Sequence, residues 1–426
     1  MIVIDTRGWD IIYVCSSNST NQRLNNYMKQ NEIKSSYSDS ISEISLTFDP
    51  WEITNGGSGK LLRIKTPVKN GEMILNNNTI KLDGICPLIE VQLDFFNDGS
   101  QTNIKDLKFN FLVEGKNPGD LTNGAVTIIN SDLNGIITNQ SDLIILKGLL
   151  SKMFIENKHQ YSYIFAEMNI SPGQKWMKPE KYRYTYVDMA NNNNGFLAIF
   201  SVVTNRDISN LQDGVDTKIL NNSNDTFLLL SERMFLENII LPELPSTLGN
   251  GAKPTDFKLN KTSETTGEIV NVNYLNADSV TWGGVSYYPK ITKLKIKVKG
   301  STMEINADGY FKFADYDQFF WTTSVNKFFY NKDTKKAYFI PDDNPSYRYE
   351  ENIPWWAWIL GVAIIPIIIA VCNAVAKSVA KSMAFQANNN FLTNIKTDVI
   401  SWNGVENIDV QNVILDVSFG LQGNAK

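Results

Sequence analysis

The most constraining feature of this sequence is a segment without charged residues that runs from position 352 to position 376. Its apolar part, residues 354–372, is just long enough for a helix to cross a hydrocarbon core of about 30 Å. Tryptophans stand at one end and lysines follow the other, as at the ends of membrane-spanning helices. We expect its large apolar side chains to contact lipid, a membrane surface or a protein partner: Trp355, Trp356, Trp358, Ile359, Leu360, Ile364, Ile365 and Ile368.

Two features of the same segment argue against a membrane span. Pro366 lies in its middle, where a proline kinks a helix. Beyond residue 372 the pattern becomes two-faced, with Lys377 and Lys381 on one side and Val375 and Val379 on the other. A buried core helix and an apolar tip that meets lipid reversibly are therefore alternatives to a membrane-spanning helix.

The rest of the chain alternates between helical and strand patterns. Helices are predicted over residues 20–33, 142–157 and 229–241, the last ended by Pro242 and Pro245, and from the apolar segment to about residue 386. The other segments are dominated by short alternating runs with turn signals between them, which predict antiparallel strands. The sequence therefore predicts an α+β fold in which long helices cover the apolar face of antiparallel sheets. We expect one elongated unit over residues 1–426, with approximate halves 1–225 and 226–426.

Composition excludes several classes of function. The chain has one histidine and three cysteines, so zinc sites built from two or three histidines and dense disulfide frameworks are ruled out. A catalytic triad would have to use His159, and no nucleophile motif accompanies it. We therefore expect no enzyme activity and no cofactor. The net charge of −5 argues against nucleic acid as a partner.

The glycine-rich segment at residues 55–60 is predicted to be a hairpin turn. A phosphate-binding loop needs an earlier glycine, four residues before the Gly-Lys pair, and a serine or threonine after the lysine. Thr54 and Leu61 occupy those two positions. The spacing therefore excludes the phosphate-loop interpretation.

Four lysines alternate with aliphatic residues near residue 295. Lys293, Lys295, Lys297 and Lys299 fall on one face of a predicted strand, because side chains alternate with a period of two. One hypothesis is a face that binds anionic lipid headgroups or an acidic partner. The other is a solvated sheet face that discourages pairing at a sheet edge.

Three stretches together resemble a known family. They are Gly8-Trp9-Asp10, the run from Phe48-Asp49-Pro50-Trp51-Glu52-Ile53 into Gly56-Gly57-Ser58-Gly59-Lys60, and Leu228-Leu229-Leu230-Ser231-Glu232-Arg233-Met234-Phe235-Leu236. They resemble the clostridial 47-kDa proteins that are encoded with OrfX proteins in botulinum-type neurotoxin gene clusters. None of these motifs carries a catalytic signature.

The resemblance implies the tubular lipid-binding (TULIP) fold, in which a highly curved antiparallel sheet wraps long helices in a tubular arrangement. It also implies a non-toxic accessory role, with lipid (a phosphoinositide or an acyl chain), OrfX proteins or the neurotoxin complex as partners. A membrane-inserting component and a scaffold that binds only proteins are the alternatives. Within that fold, the apolar segment is better explained by a helix that lines or ends the tube.

No secretory signal is recognised at the beginning of the sequence, because Asp5, Arg7 and Asp10 interrupt the apolar residues there. We therefore expect synthesis in the cytoplasm and release with the toxin complex, with reversible membrane contact.

Overall fold

The structure is a computed structural model that describes residues 4–189, 194–216, 220, 224–313, 316–350, 364–382, 399–405 and 408–425. Its α-helices are α1 Ser17–Gln30, α2 Gln140–Glu156, α3 Glu232–Phe235, α4 Leu244–Leu248 and α5 Ile364–Ser382. A π-helical turn, Leu236–Ile240, continues α3, and there are 3-10 turns at Lys158–Gln160, Lys175–Met177, Leu241–Glu243 and Pro254–Asp256.

Strands are the main regular elements of the described fold. They are β1 Ile11–Ser16, β2 Lys34–Ser38, β3 Ser42–Phe48, β4 Glu52–Ser58, β5 Leu61–Lys65, β6 Val68–Leu75, β7 Asn78–Lys81, β8 Leu88–Asn97, β9 Ile104–Asn110, β10 Val113–Glu114, β11 Ala125–Asn130, β12 Ile164–Asn169, β13 Lys181–Met189, β14 Asn194–Val202, β15 Thr226–Leu230, β16 Phe257–Lys261, β17 Gly267–Asn271, β18 Leu275–Asn276, β19 Val280–Trp282, β20 Val285–Tyr287, β21 Lys290–Lys299, β22 Thr302–Phe313, β23 Tyr316–Asn331, β24 Lys336–Ile340, β25 Ser346–Glu350, β26 Ile400–Trp402, β27 Ile408–Asp416 and β28 Ser418–Ala425.

The strands form four sheets and one separate hairpin. The central sheet has the order β13-β14-β1-β15-β28-β27, so it joins strands from both ends of the chain. A second sheet, β10-β11-β8-β9-β12-β26, also carries β5 and β4, and a third, β16-β17-β21-β22-β23-β24, carries β18 and β25. The fourth is β2-β3-β6-β7, and β19 pairs only with β20. Apart from the parallel pair β10–β11, the strand pairs in the described chain are antiparallel. The predicted α+β class with antiparallel sheets is confirmed, although helices are few.

The first two helices begin at capping residues slightly earlier than predicted. Ser16 accepts a hydrogen bond from the Ser19 backbone N–H and starts α1. Asn139, not Ser141, caps α2 by accepting from the N–H groups of Ser141 and Asp142. Both helices bury one apolar face, with Leu24 and Met28 buried from α1 and the following buried from α2: Leu146, Leu149, Leu150, Met153 and Phe154.

The helix predicted over residues 229–241 is wrong at both ends. Thr226–Leu230 is a strand paired with β1 and β28, because a run of apolar residues fits a buried strand as well as a helix. Helical turns begin at Glu232, after the Ser231 cap, and continue to Leu248. Pro242 and Pro245 do not end them, since each occupies the first turn of a new helical segment, where a proline N–H is not needed.

Trp51 is the centre of an aromatic cluster between α2 and the sheets. Its ring lies 5.4 Å from that of Phe48, 5.6 Å from Phe109, 5.7 Å from Phe154 and 5.2 Å from Tyr161, measured between ring centroids. Most of these contacts are tilted or edge-to-face, the geometries that aromatic pairs prefer. The motif around Trp51 therefore contributes packing between α2 and the sheets, and this packing role accounts for its aromatic residues.

The glycine-rich segment is a strand end and a tight turn. β4 runs through Gly56 and Gly57 to Ser58, so the predicted turn is shorter than expected. A β-carbon at Gly57 would lie 2.5 Å from the Leu61 carbonyl oxygen, and the Tyr186 backbone N–H donates to Gly59. The glycines are thus explained by close backbone packing.

A buried ion-pair cluster joins the two halves of the chain. The Asp10 carboxylate is fully buried and accepts hydrogen bonds from Arg206 at 3.1 Å, from Arg233 at 2.8 Å and from the Val203 backbone N–H at 2.9 Å. Arg233 also donates to Glu237 at 2.7 Å. Two of the stretches that carry the family resemblance, 8–10 and 228–236, therefore meet at this cluster.

Asp10→Asn should lower the free energy of unfolding by about 3–5 kcal/mol, because Arg206 and Arg233 lose the fully buried carboxylate that they share. The measurement is the urea midpoint and slope for the full chain. Glu180→Gln, at the surface pair with Lys178, is the control and should cost no more than about 1 kcal/mol. Equal losses in the two variants would contradict this account of the cluster.

Glu232 supplies a second test of stability. Burial raises its pKa to about 7, while the hydrogen bond from the Val298 backbone N–H and the charge of Lys297 oppose this shift. The folded chain then binds a proton more tightly than the unfolded chain, so this group lowers stability as pH rises from about 4.5 to about 7. Glu232→Gln should be more stable than the parent by about 1–3 kcal/mol at pH 8, with no gain at pH 4. Denaturant titrations at both pH values measure the free energy of unfolding, and Glu114→Gln, at an exposed position, is the control. A gain in stability that is the same at both pH values would exclude the titration of Glu232 as the cause.

Candidate functional site

The predicted apolar contact segment is described only from residue 364 onward. Trp355, Trp356, Trp358, Ile359 and Leu360 lie outside the described residues. Ile364 and Ile365 begin α5, and Ile368 is fully buried within it. The role predicted for the tryptophans therefore stays a prediction.

The helix α5 is two-faced, as the sequence predicts. Lys377 and Lys381 are exposed, whereas the opposite face is buried against β23 and β25: Ile368, Val371, Cys372, Val375, Ala376, Val379 and Ala380. The buried Asn326 side chain of β23 donates to the Ala380 carbonyl oxygen at 2.8 Å and accepts from the Asp342 N–H at 3.1 Å. Helix α5 therefore packs as part of the protein core.

No helix within the described parts of the chain is long and apolar enough to cross a membrane.

The lysine strand has the alternation that the sequence predicts. In β21, Leu294, Ile296 and Val298 are buried, while Lys293, Lys295 and Lys299 are exposed and Lys297 is half-buried. The four ammonium groups thus share the outer face of the third sheet.

Carboxylates already pair with three of these lysines. Lys295 lies 3.0 Å from Glu268, and Glu304 lies 2.9 Å from Lys297 and 3.0 Å from Lys299. The hydrogen bond from Lys297 is the main reason that the pKa of Glu304 falls to about 2. An anionic ligand at this face would therefore compete with internal carboxylates, which weakens the headgroup hypothesis.

A pocket of about 390 Å³ opens where the end of α2 meets the second sheet. Sequence reasoning missed it. Its lining comes from β8, β9 and the residues after them, and from the 3-10 turn that follows α2: Phe96, Lys108, Phe109, Asn110, Phe111, Leu112, Lys158, His159, Tyr161 and Ser162. The volume lies within the usual range for small-molecule sites, about 300–1,000 Å³.

The pocket has an aromatic floor and half-exposed apolar walls. Phe109, Phe111 and Tyr161 are buried and belong to the aromatic cluster around Trp51. Phe96 is 39% exposed and Leu112 is 44% exposed. The Tyr161 hydroxyl donates to the Ser35 hydroxyl oxygen, and burial raises the tyrosine pKa well above its usual range, so it stays neutral. The floor can therefore hold the apolar body of a ligand.

The rim of the pocket carries two lysines and the histidine. Lys108 lies 2.6 Å from the buried Asp106 carboxylate, whereas Lys158 and His159 are exposed on the turn Lys158–Gln160. Tyr161 follows this turn directly, so the same loop contributes both rim and floor. An apolar floor below a cationic rim suits a ligand with an apolar body and an anionic group.

Some signal for this pocket was present in the sequence. Leu107, Phe109, Phe111 and Val113 alternate with other residues along the sequence, and the first three are buried. Val113 is 40% exposed because β9 ends at Asn110 and the chain turns into β10. The aromatic pattern marks the floor, but nothing local shows that Lys158 lies above it.

The three cysteines, which are further candidates for reactive groups, lie in the protein interior. Cys15, Cys86 and Cys372 are free and buried, and burial raises the pKa of each thiol. Within the described residues, no group of three or more His, Cys, Asp or Glu side chains is arranged to hold a metal ion.

Comparisons with known proteins agree with this architecture. The family model described as OrfX-like, Protein OrfX2/OrfX3/P47, matches residues 6–417. Protein P47 of Clostridium botulinum (strain Kyoto / Type A2) is 40% identical over 432 aligned residues, which cover 99% of this chain and 100% of that protein.

Two solved structures have the same fold over their whole length. P47 from Clostridium botulinum A2 superposes with a TM-score of 0.88 at 39% identity, covering 99% of each chain. P47 of Clostridium botulinum E1 gives a TM-score of 0.84 at 36% identity, covering 99% of this chain and 100% of that one. The resemblance seen in the sequence is confirmed, and this chain belongs to the OrfX-like family of OrfX2, OrfX3 and P47 proteins.

Proposed function

We propose that this chain is a non-enzymatic accessory protein of a clostridial neurotoxin gene cluster and that it binds an anionic lipid-type amphiphile. The observation that carries the proposal is the pocket of about 390 Å³ with an aromatic floor and a cationic rim. The ligand class follows from that chemistry: a phosphate or carboxylate beside Lys158 and His159, and an acyl chain over the buried rings.

The energetics favour a small amphiphile over a long buried chain. The aromatic cluster around Trp51 fills the space between α2 and the neighbouring strands, so it leaves no room there for a chain to run deep along the helix. Each methylene group removed from water contributes about 0.8 kcal/mol. Several methylene groups over Phe109 and Phe111, with one charge-assisted contact at the rim, would give micromolar-range affinity.

The non-enzymatic part of the proposal rests on the surroundings of His159. This histidine is exposed on a turn, and the Ser162 hydroxyl beside it shares a hydrogen bond with the Tyr27 hydroxyl at 3.0 Å. No third group that would orient the imidazole for catalysis is shown among the described pocket residues, whereas acyl-transfer catalysis needs one.

Lys158→Glu should weaken binding of a soluble short-chain phosphatidylinositol phosphate about fivefold to tenfold, because it replaces an attractive rim charge with a repulsive one. Isothermal titration calorimetry measures the change. Lys147→Glu, at an exposed position of α2 outside the pocket, is the matched control and should bind like the parent.

A medium-chain fatty acid, tested with the same variants, separates the two sources of the anionic group. Binding of the fatty acid alone would assign the pocket to carboxylates. Failure of both ligands to bind the parent chain, or equal weakening by Lys158→Glu and Lys147→Glu, would overturn the proposed ligand site.

A second candidate is a scaffold that binds only other proteins of the cluster. The filled space between α2 and the sheets favours it, because a closed seam is what a scaffold without lipid would have. Its partners would be OrfX proteins, which belong to the same family.

Tagged full-length chain, incubated with purified OrfX proteins, should then retain a partner in stoichiometric amount, while native mass spectrometry shows no added lipid mass. Retention that is unaffected by Lys158→Glu, together with no amphiphile binding, would favour the scaffold over the lipid proposal. The reverse pattern would eliminate the scaffold.

A further inference from the structure

The hairpin β19–β20 extends an apolar face from the core into solvent. Val280 pairs with Tyr287 and Trp282 pairs with Val285, so these four side chains share one face. At the root, Tyr287 is 6% exposed and its ring lies 5.8 Å from that of Phe311. At the tip, Trp282 is 46% exposed and Val285 is 54% exposed.

The conformation of this tip is set by local chemistry. Gly283 and Gly284 have φ of 58° and 81°, as a two-residue type I′ turn requires. On the opposite face, the Thr281 and Ser286 hydroxyls pair with each other at 3.0 Å. The polar side chains of the hairpin are therefore satisfied within it.

The root of the hairpin is fixed to the rest of the fold. Asp278 accepts hydrogen bonds from Ser378 of α5 and from Asn250 at 2.9 Å, and the Ala277 N–H donates to the Pro289 carbonyl oxygen at 3.0 Å. An isolated two-stranded hairpin is marginal in water, so these contacts hold the exposed tip in place.

Charge is absent from the whole hairpin. From Ser279 to Pro289 there is no charged residue. At the base of the hairpin, Tyr288 is 73% exposed and Lys290 is exposed. A bilayer surface suits this arrangement, because the tryptophan at the tip favours the membrane–water interface and a basal lysine meets anionic headgroups.

The size of the tip favours a bilayer over a protein partner. A fully buried tryptophan contributes about 150–250 Å², so Trp282 and Val285 together supply less than the roughly 800 Å² per partner of a standard protein interface. Shallow insertion needs no such area, since a few aromatic side chains are enough to anchor a peripheral protein whose backbone groups are already paired.

We propose that the hairpin tip at Trp282 and Val285 is a contact site for the interface of anionic bilayers. This contact does not depend on the pocket at the end of α2, whose lining it does not share. The chain would meet the membrane with the hairpin while most of its surface stays in water.

The test uses full-length chain and vesicles of equal parts phosphatidylcholine and phosphatidylserine in a flotation assay. The double variant Trp282→Ser/Val285→Ser should partition about tenfold more weakly, as the loss of two interfacial apolar side chains predicts. The matched control, Ile41→Ser/Ile144→Ser, removes two side chains that are 69% and 73% exposed elsewhere and should partition like the parent. Unchanged denaturant midpoints would show that all variants fold.

A second readout locates the contact directly. An environment-sensitive fluorophore on Val285→Cys should shift to the blue with these vesicles, whereas the same label on Ile144→Cys should not, and the native cysteines are buried. No vesicle binding by the parent, or equal binding by the hairpin and control variants, would overturn the inference. Lys158→Glu should leave flotation unchanged, so failure of the pocket proposal is distinguishable from failure of this one.

Discussion

The buried carboxylate of Asp10 holds together parts of the chain that are about two hundred residues apart. The carboxylate accepts hydrogen bonds from Arg206 and Arg233. The Asp10 backbone carbonyl accepts from the Ser231 N–H, and the Asp10 N–H donates to the Ser201 carbonyl oxygen. Burying an ion pair gives little net stability, but breaking one leaves an uncompensated charge, so the arrangement penalises every fold in which these segments separate. The effect is to make β1 the fixed centre of one sheet.

The other layers are fastened to that central sheet by buried hydroxyls and rings. The Tyr184 hydroxyl on β13 accepts from the Leu93 N–H and donates to the Lys60 carbonyl, each at 2.6 Å, which ties the central sheet to β8 and to the turn between β4 and β5. Arg233 and Arg206 both donate to the Glu264 carbonyl in the turn between β16 and β17, so the third sheet is joined at the same cluster. Among the described residues, the larger of two apolar clusters accordingly includes side chains from Ile11 to Leu421.

Local periodicity correctly predicted which side chains are buried wherever the pattern within a single helix or strand is sufficient. The alternation in β21 and the two faces of α5 are of this kind, since Lys299 and Lys377 point outward for reasons visible within ten residues. Prediction failed where the partner is distant. Leu228–Leu230 became a strand because β1 and β28 lie on both sides of it, and the pocket exists because Lys158 reaches the rim above Phe109, fifty residues away in sequence.

The proposed binding function requires specificity to come from shape, apolar area and charge placement. Here the pocket lies on the second sheet, fixed through Tyr184, and the hairpin follows the strand that pairs with β21 in the third. Both sheets are attached to the central sheet, so binding of a ligand in the pocket need not distort the hairpin. The two proposed contacts, joined by one fold, would raise the effective affinity by linkage alone. That is sufficient for an accessory protein to bridge a ligand and a surface with only weak individual sites.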